Sequence, residues 1–208
     1  MGANNFDCVV IGAGHAGIEA AHAAARIGAK TALITIDKNK IGAMSCNPAI
    51  GGLAKGQIVR EVDALGGLMG LATDATGIQF RMLNRSKGPA VQSPRAQADR
   101  YKYQQYMINA LEQTANLTII EQMAVEIVVE NGLVIGVRCK AGWVCDTKTV
   151  IVGTGTFLRG MMHIGQESFE GGRRGDPASD DLSGCLERLG LEVKRLKTGT
   201  PPRLDAGT

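Results

Sequence analysis

Phe6-Asp7-Cys8-Val9-Val10-Ile11-Gly12-Ala13-Gly14-His15-Ala16-Gly17, near the start of a 208-residue chain, is the stretch that decides the fold. Its apolar run predicts a strand over 6–11 and its glycines a turn. The small-residue segment from Ala16 to Gly28 predicts a helix, and Lys30 to Ile36 a second strand. In a dinucleotide-binding unit each glycine has its own reason: Gly12 permits the tight turn, Gly14 lets backbone approach a pyrophosphate, and Gly17 lets helix and strand pack closely. The helix N-terminus then offers free N–H groups to the phosphates. A bare G-x-G-x-x-G is weak in a chain with 28 glycines, and its plain alternative is a surface turn without a ligand. The strand–turn–helix–strand context favours the dinucleotide site. Such folds place an acid about 20 residues further on to hold the ribose hydroxyls. Asp37 stands near that distance, with Thr35 or backbone as alternatives, and Asp37 reads equally well as a turn residue.

The composition, 44% hydrophobic, allows one core with at most a small sub-domain. No apolar run approaches the roughly 20 residues of a membrane span, and no secretory leader opens the chain. No membrane partner is expected, and the location expected is cytoplasmic. Cys8, Cys46, Cys139, Cys145 and Cys185 are scattered, and His15, His22 and His163 do not cluster with them. This predicts reduced thiols and no metal site. Net charge is only +3, but residues 81–102 carry Arg81, Arg85, Lys87, Arg95, Arg100 and Lys102 against the single acid Asp99. Composition alone reads this as a solvated basic face; a phosphate or RNA footprint is the other reading.

Beyond the second strand, Lys38 to Lys55 is glycine-punctuated and irregular, a kind of segment that is usually functional inside a compact domain. A helix is predicted from Gln57 to Leu65, stopped by Gly66-Gly67. Ser93-Pro94 reads as an N-cap and first-turn proline for a helix reaching about Thr114, with Ala96, Tyr103, Met107, Ala110, Leu111 and Thr114 on its buried face. Leu117 to Glu121 reads as a strand. Ala124 to Glu130, Leu133 to Lys140 and Trp143 to Asp146 follow as a meander, the first two joined by the hairpin turn Asn131-Gly132. Thr149 to Val152 is an apolar strand ending in Gly153-Thr154-Gly155, which returns the chain to the central sheet. Ser179 to Leu189 predicts a last helix and Leu191 to Leu196 a last strand. The fold class is therefore α/β: a Rossmann-like FAD-binding domain with a central parallel sheet and an antiparallel three-stranded meander.

Four runs, in order, carry a more specific signal: Ser45-Cys46-Asn47-Pro48-Ala49-Ile50-Gly51-Gly52; Glu61-Val62-Asp63-Ala64-Leu65-Gly66-Gly67; Lys87-Gly88-Pro89-Ala90-Val91 with Arg95-Ala96-Gln97-Ala98-Asp99-Arg100; and Thr198-Gly199-Thr200-Pro201-Pro202-Arg203. Together they closely resemble the MnmG (GidA) family of FAD-dependent tRNA wobble-uridine modification enzymes, over nearly the whole chain. The resemblance implies an enzyme that, with the GTPase MnmE, installs an aminomethyl or carboxymethylaminomethyl group on carbon 5 of the wobble uridine. Methylenetetrahydrofolate would give the one-carbon unit, ammonium or glycine the amine, and NADH the reducing equivalents. It also implies a homodimer. Carried over by position, Gly12, Ala13, Gly14, His15, Ala16 and Gly17 would hold the FAD pyrophosphate, Ala124 would touch the adenine through backbone, and Ser179 would be a further FAD contact. Gly153 and Gly155 would pass near the cofactor on fold grounds.

The resemblance makes Cys46 the candidate catalytic residue. The family's cysteine has been proposed as a nucleophile that attacks carbon 6 of uracil and makes carbon 5 nucleophilic, whereas most lone cysteines are small inert hydrophobes. Lys55 and Arg100 are candidates for flavin or substrate electrostatics, or plain surface charges. The basic run over 81–102 becomes part of a candidate tRNA face, although Tyr103 and Tyr106 at helical spacing read as core. The family continues well past Thr208, with an NADH-binding insert and a helical C-terminal domain. The chain, 1–208, therefore reads as the N-terminal portion of the FAD-binding domain, expected to be inactive alone. The other readings are another FAD-dependent oxidoreductase, including a TrmFO-like folate-dependent tRNA methyltransferase, which the Ser45 to Gly52 loop argues against, and a non-catalytic nucleotide-binding fragment.

Overall fold

A computed structural model describes residues 4–44, 47–172, 179–197, 199 and 207. The chain begins β1 (Cys8–Ile11), α1 (His15–Arg26), β2 (Thr31–Thr35), then β3 (Ala49–Gly51), α2 (Lys55–Ala64) and α3 (Leu68–Thr76). It continues through β4 (Gly77–Leu83), β5 (Ser93–Ala98), α4 (Arg100–Glu112) and β6 (Leu117–Glu121). The last elements are β7 (Ala124–Glu130), β8 (Leu133–Cys139), β9 (Val144–Asp146), β10 (Val150–Val152), β11 (Met161–Ile164), β12 (Glu167–Glu170) and α5 (Asp180–Arg188).

The central sheet has the order β10-β1-β2-β6, and every pairing in it is parallel. The chain steps from β1 through β2 to β6 on one side, then crosses back to place β10 on the other side of β1. Strand order therefore reverses between β1 and β10. Ligands of open α/β sheets bind outside the carboxyl ends of the strands at such a reversal.

Alternation along the strands sends side chains to two cores, as the two-residue period requires. Cys8, Val10 and Leu33 meet Ile18 and Ala21 of α1 and Tyr103, Met107 and Leu111 of α4 on one face. Val9, Ile11, Ala32 and Ile34 meet the antiparallel meander β7-β8-β9 and Leu182, Cys185 and Leu186 of α5 on the other. The expected parallel sheet and meander are both present. Asn131 and Gly132, with φ of 50° and 77°, make the predicted hairpin turn between β7 and β8.

Two expectations fail. Ser93-Pro94 does not start a helix: both residues lie in β5, and α4 begins at Arg100 behind Asp99, whose carboxylate accepts from the Tyr101 and Lys102 N–H groups at 3.0 and 3.1 Å. β5 is the middle strand of a second, antiparallel sheet, β3-β5-β4. Pro94 sits beyond the last residue paired with β3, so its missing N–H costs only one side of the ladder. Tertiary pairing thus overrides a good local cap signal. Residues 191–197 also form no strand, and Leu191 and Leu196 are exposed. The sequence reading passed over α3, β4 and the β11-β12 hairpin. Helix α3 lacks a cap of its own; the Glu19 carboxylate of α1 accepts from the Leu68 N–H at 3.0 Å and the Met69 N–H at 2.6 Å. A cap supplied from 49 residues away leaves no local signature.

Candidate functional site

A cleft of about 310 Å³ lies at the carboxyl ends of β1, β2, β6 and β10. Its walls are the segments that follow each strand: Gly12 to His15 after β1, Ile36 and Asp37 after β2, Gln122 and Met123 after β6, and Gly153 to Phe157 after β10, with Ala124 and Ser179 closing it.

Backbone proximity builds the floor. Gly12 has φ of 100°, and a Cβ there would run into the Gly153 carbonyl. A Cβ on Gly17 would overlap the carbonyl oxygen of Gly12. Strand β1, helix α1 and the turn after β10 therefore meet backbone to backbone, and side chains are excluded. Gly14 is different: a Cβ there would meet nothing within 4 Å. It is the N-cap of α1, makes no side-chain cap bond, and is followed by no acid in the first turn. The first N–H groups of α1 thus face the cleft without intrahelical partners, beside the positive end of the helix dipole. Open space over Gly14 and amides awaiting an acceptor fit the diphosphate of a dinucleotide.

Of the residues singled out for the cofactor, Gly12, Ala13, Gly14, His15, Ala124, Gly153, Gly155 and Ser179 line the cleft. Ala16 and Gly17 do not; Gly17 is buried beneath it, and Ala16 faces outward. Ser179 is buried, and its N–H donates to the Phe157 carbonyl at 2.9 Å, tying the start of α5 to the rim. Both candidates for the ribose, Thr35 and Asp37, line the cleft. The Asp37 carboxylate also accepts from the Asn39 N–H at 2.8 Å and pairs with Lys40 at 3.5 Å, so it serves as turn residue and rim acid together.

His15 lies on the wall with its Nε2 buried and without a hydrogen-bond partner, and its ring sits 5.6 Å from that of Tyr103. Burial, and after it the charge of Lys55, pushes the imidazole below its ordinary value of 6.5, so it is neutral at pH 7. Burial pushes the Tyr103 phenol up, with Glu19 adding to the effect. Lys55 does not line the cleft but acts on it through His15. Arg100 is away from it, its guanidinium 5.3 Å over the Tyr101 ring. Cys46 and Ser45 lie outside the described residues, as does most of the run from Thr198 to Arg203. Four cysteines, Cys8, Cys139, Cys145 and Cys185, are buried and free.

Gln122, Met123, Thr154, Thr156 and Phe157 were not anticipated. The rule that ligands sit beyond the carboxyl ends of parallel strands would have found Gln122 and Met123 from the strand ending at Glu121. Phe157 is held at the rim by the Ser179 N–H, a long-range bond that no local pattern encodes. Among the described residues no helix is long and apolar enough to cross a membrane.

The family model for glucose inhibited division protein A matches residues 7–208. The tRNA uridine 5-carboxymethylaminomethyl modification enzyme MnmG of Thermodesulfovibrio yellowstonii is 59% identical over 204 residues, 98% of this chain and 33% of that protein. Aquifex aeolicus GidA, in its form II crystal, superposes with a TM-score of 0.92 at 56% identity, covering 97% of this chain and 33% of that one. A probable FAD-dependent monooxygenase, pqsL of Pseudomonas aeruginosa, shares the fold alone, with a TM-score of 0.57 at 16% identity over 94% of this chain and 48% of that one. The chain thus spans about a third of the length of the curated relatives it matches.

Proposed function

The chain belongs to the GidA family, and we propose that it is the N-terminal portion of the FAD-binding domain of an enzyme that modifies carbon 5 of the tRNA wobble uridine. The group added is an aminomethyl or carboxymethylaminomethyl group, and the work is shared with the GTPase MnmE. The observation that carries this reading is the cleft where strand order reverses, with open space over Gly14 and the unpaired amides of α1 on its floor.

Bound FAD supplies the redox chemistry. The chain's own residues bind and orient it. The amides after Gly14 take the diphosphate, Asp37 or Thr35 the ribose hydroxyls, and the backbone at Ala124 the adenine; Gly153, Gly155 and Ser179 form the facing wall. Gly17 acts from below, by letting α1 approach β1, and Ala16 belongs to the first turn of α1 that presents the amides. Neutral His15 adds a buried nitrogen with no charge to repel or attract the anion. Cys46 is the candidate thiolate for carbon 6 of the uracil. The whole enzyme is read as a cytoplasmic homodimer that uses NADH and methylenetetrahydrofolate, and the 208-residue chain as inactive by itself.

The direct test is the visible spectrum of the purified chain after incubation with FAD and removal of free cofactor. A retained flavin band supports the assignment of these residues to the cofactor. A folded, colourless protein overturns their sufficiency. Full tRNA modification by the complete enzyme carrying Cys46→Ser sinks the role given to Cys46.

A further inference from the structure

The antiparallel sheet β3-β5-β4 carries a feature the cofactor cleft does not use. In its register Arg81 of β4 stands directly opposite Arg95 of β5, and Gln79 directly opposite Gln97. Residues separated by two along a strand share a face, so the four side chains form one patch, two guanidiniums beside two carboxamides. Like charges directly opposite one another in an antiparallel pair are destabilising. Here no carboxylate relieves them: neither arginine is in an ion pair with any described residue. Residues 77–98 contain four cations, Arg81, Arg85, Lys87 and Arg95, and no acid.

The opposite face of the sheet is occupied, because Ile50 and Ala98 are buried with Leu68 and Ala72 of α3, and Ala96 is buried beside them on β5. The arginine face is covered at its Ser93 end, where the buried Ser93 hydroxyl donates to the Gly52 carbonyl, and opens towards Arg81. Arg81 is exposed and Arg95 half-buried, and the connecting loop that carries exposed Arg85 and Lys87 is held by the Gln92 carboxamide, which donates to the Lys87 carbonyl at 3.0 Å. Tyr101, 73% exposed just past the end of β5, is a flat ring on which a base can stack. Strand β3 lies on the far side of β5, with Gly51 opposite Arg95 and the Ala98 N–H donating to the Pro48 carbonyl at 2.7 Å. With strands about 4.8 Å apart, Arg81 is roughly 10 Å from the Pro48–Gly51 segment that follows Cys46.

We propose that Arg81 and Arg95, with Gln79 and Gln97, form a phosphodiester-binding patch that holds the backbone of the substrate RNA beside the Pro48–Gly51 segment. The inference rests on the tRNA-modifying role proposed above. An unrelieved cationic pair on a flat exposed sheet matches a polyanion of repeating single charges. Guanidiniums bind phosphate oxygens through paired N–H donors, and carboxamides add neutral donors.

The test uses the full-length, flavin-loaded enzyme and measures tRNA binding as a function of salt for wild type, Arg81→Gln, Arg95→Gln, the double variant, and Lys148→Gln as a distant control. Each lost phosphate contact is expected to lower the magnitude of the log K against log salt slope by about 0.9, weakening binding by about five- to tenfold at 0.1 M salt. Flavin content and melting temperature should hold, and Arg81→Lys should restore most of the slope. Slopes unchanged in the double variant overturn the inference. So does a lowered melting temperature with an unchanged slope, which would mean that carboxylates elsewhere in the full chain neutralise the pair. A wild-type enzyme that does not bind tRNA at all instead removes the proposed function itself.

Discussion

The floor of the cleft and the β3-β5-β4 sheet prepare for anions in opposite ways. At the cleft, recognition is done by backbone. Gly12 and Gly17 bring their segments so close to the Gly153 turn and to each other that no Cβ fits at either, and the charge offered is the partial charge of helix amides. On the sheet, recognition falls to side chains, two full charges placed opposite each other by strand register. Backbone sites tolerate almost no change in residue type, but they are blind to which side chains surround them. Side-chain sites are the reverse: the fold hardly notices a substitution that removes the function.

The largest expected effect breaks the first half of that comparison. Gly17→Ala forces a Cβ into the Gly12 carbonyl, where the neighbour is backbone of the turn directly after the buried strand β1 and cannot swing away as a side chain could. Overpacking of this kind costs about 3 kcal/mol. Thermal unfolding should fall by about 6–12 °C for a chain of this size. A melting temperature within 2 °C or so of wild type would mean that the close approach of α1 to β1 is not needed.

Gly14→Ala separates ligand from fold at the next position in the same turn. Its Cβ meets nothing and its φ of −73° suits any residue, so stability should change by no more than about 1 kcal/mol, the cost of a poorer N-cap. The retained flavin band should nonetheless disappear, because the new methyl occupies the space assigned to the diphosphate. Undiminished flavin retention would move the cofactor away from α1. The buried thiols give a smaller effect. Burial, aided by the neighbouring Cys145, pushes the Cys139 thiol up from 9.0 to about 12, so the folded state keeps a proton that the unfolded chain releases. Its contribution to stability is complete below pH 9 and is lost as pH rises from 9 towards 12. Below pH 9 iodoacetamide should label Cys8, Cys139 and Cys145 only after unfolding, as mass mapping can establish.

How much of this was legible in the sequence follows the same division. The first 37 residues were readable because glycine spacing, strand hydrophobicity and helix composition agree with one another and are local. The meander was readable from Asn131-Gly132. The second sheet was not. Ser93-Pro94 carries a sound local helix signal that loses to pairing with strands some 10 to 45 residues away, and α3 hides because its cap is Glu19 of another helix. The six cations of 81–102 could be counted from the sequence. That Arg81 faces Arg95 depends on strand register, and that was out of reach once β5 was read as helix. In the cleft the fingerprint residues were legible, and Gln122 and Met123 follow from the strand that ends at Glu121, while Phe157 is held at the rim by a bond from Ser179, 22 residues further on, that no local pattern encodes.

The smallest expected effect lies where backbone and side-chain recognition meet, at His15. Its imidazole belongs to the backbone-built turn, yet its titration is set by side chains, by burial first and then by Lys55. His22, two turns along α1, is lowered in the same sense by burial and Arg26, with Glu19 opposing. Because the folded values lie below the ordinary 6.5, the unfolded chain binds protons that the folded chain refuses as pH drops below 6.5. Their contribution to stability is therefore full above pH 6.5 and declines on acidification until the folded-state value is passed. Urea unfolding at pH 7.5 and 5.5 should give a lower midpoint at the acid value, and His15→Gln should narrow the gap, since a carboxamide keeps a polar side chain at the wall without a proton to gain. An equal gap in wild type and variant would place the acid sensitivity at another group, such as His22. A narrowed gap with unchanged flavin binding would show that the anion site needs a neutral polar side chain at position 15 and no group that can gain a proton.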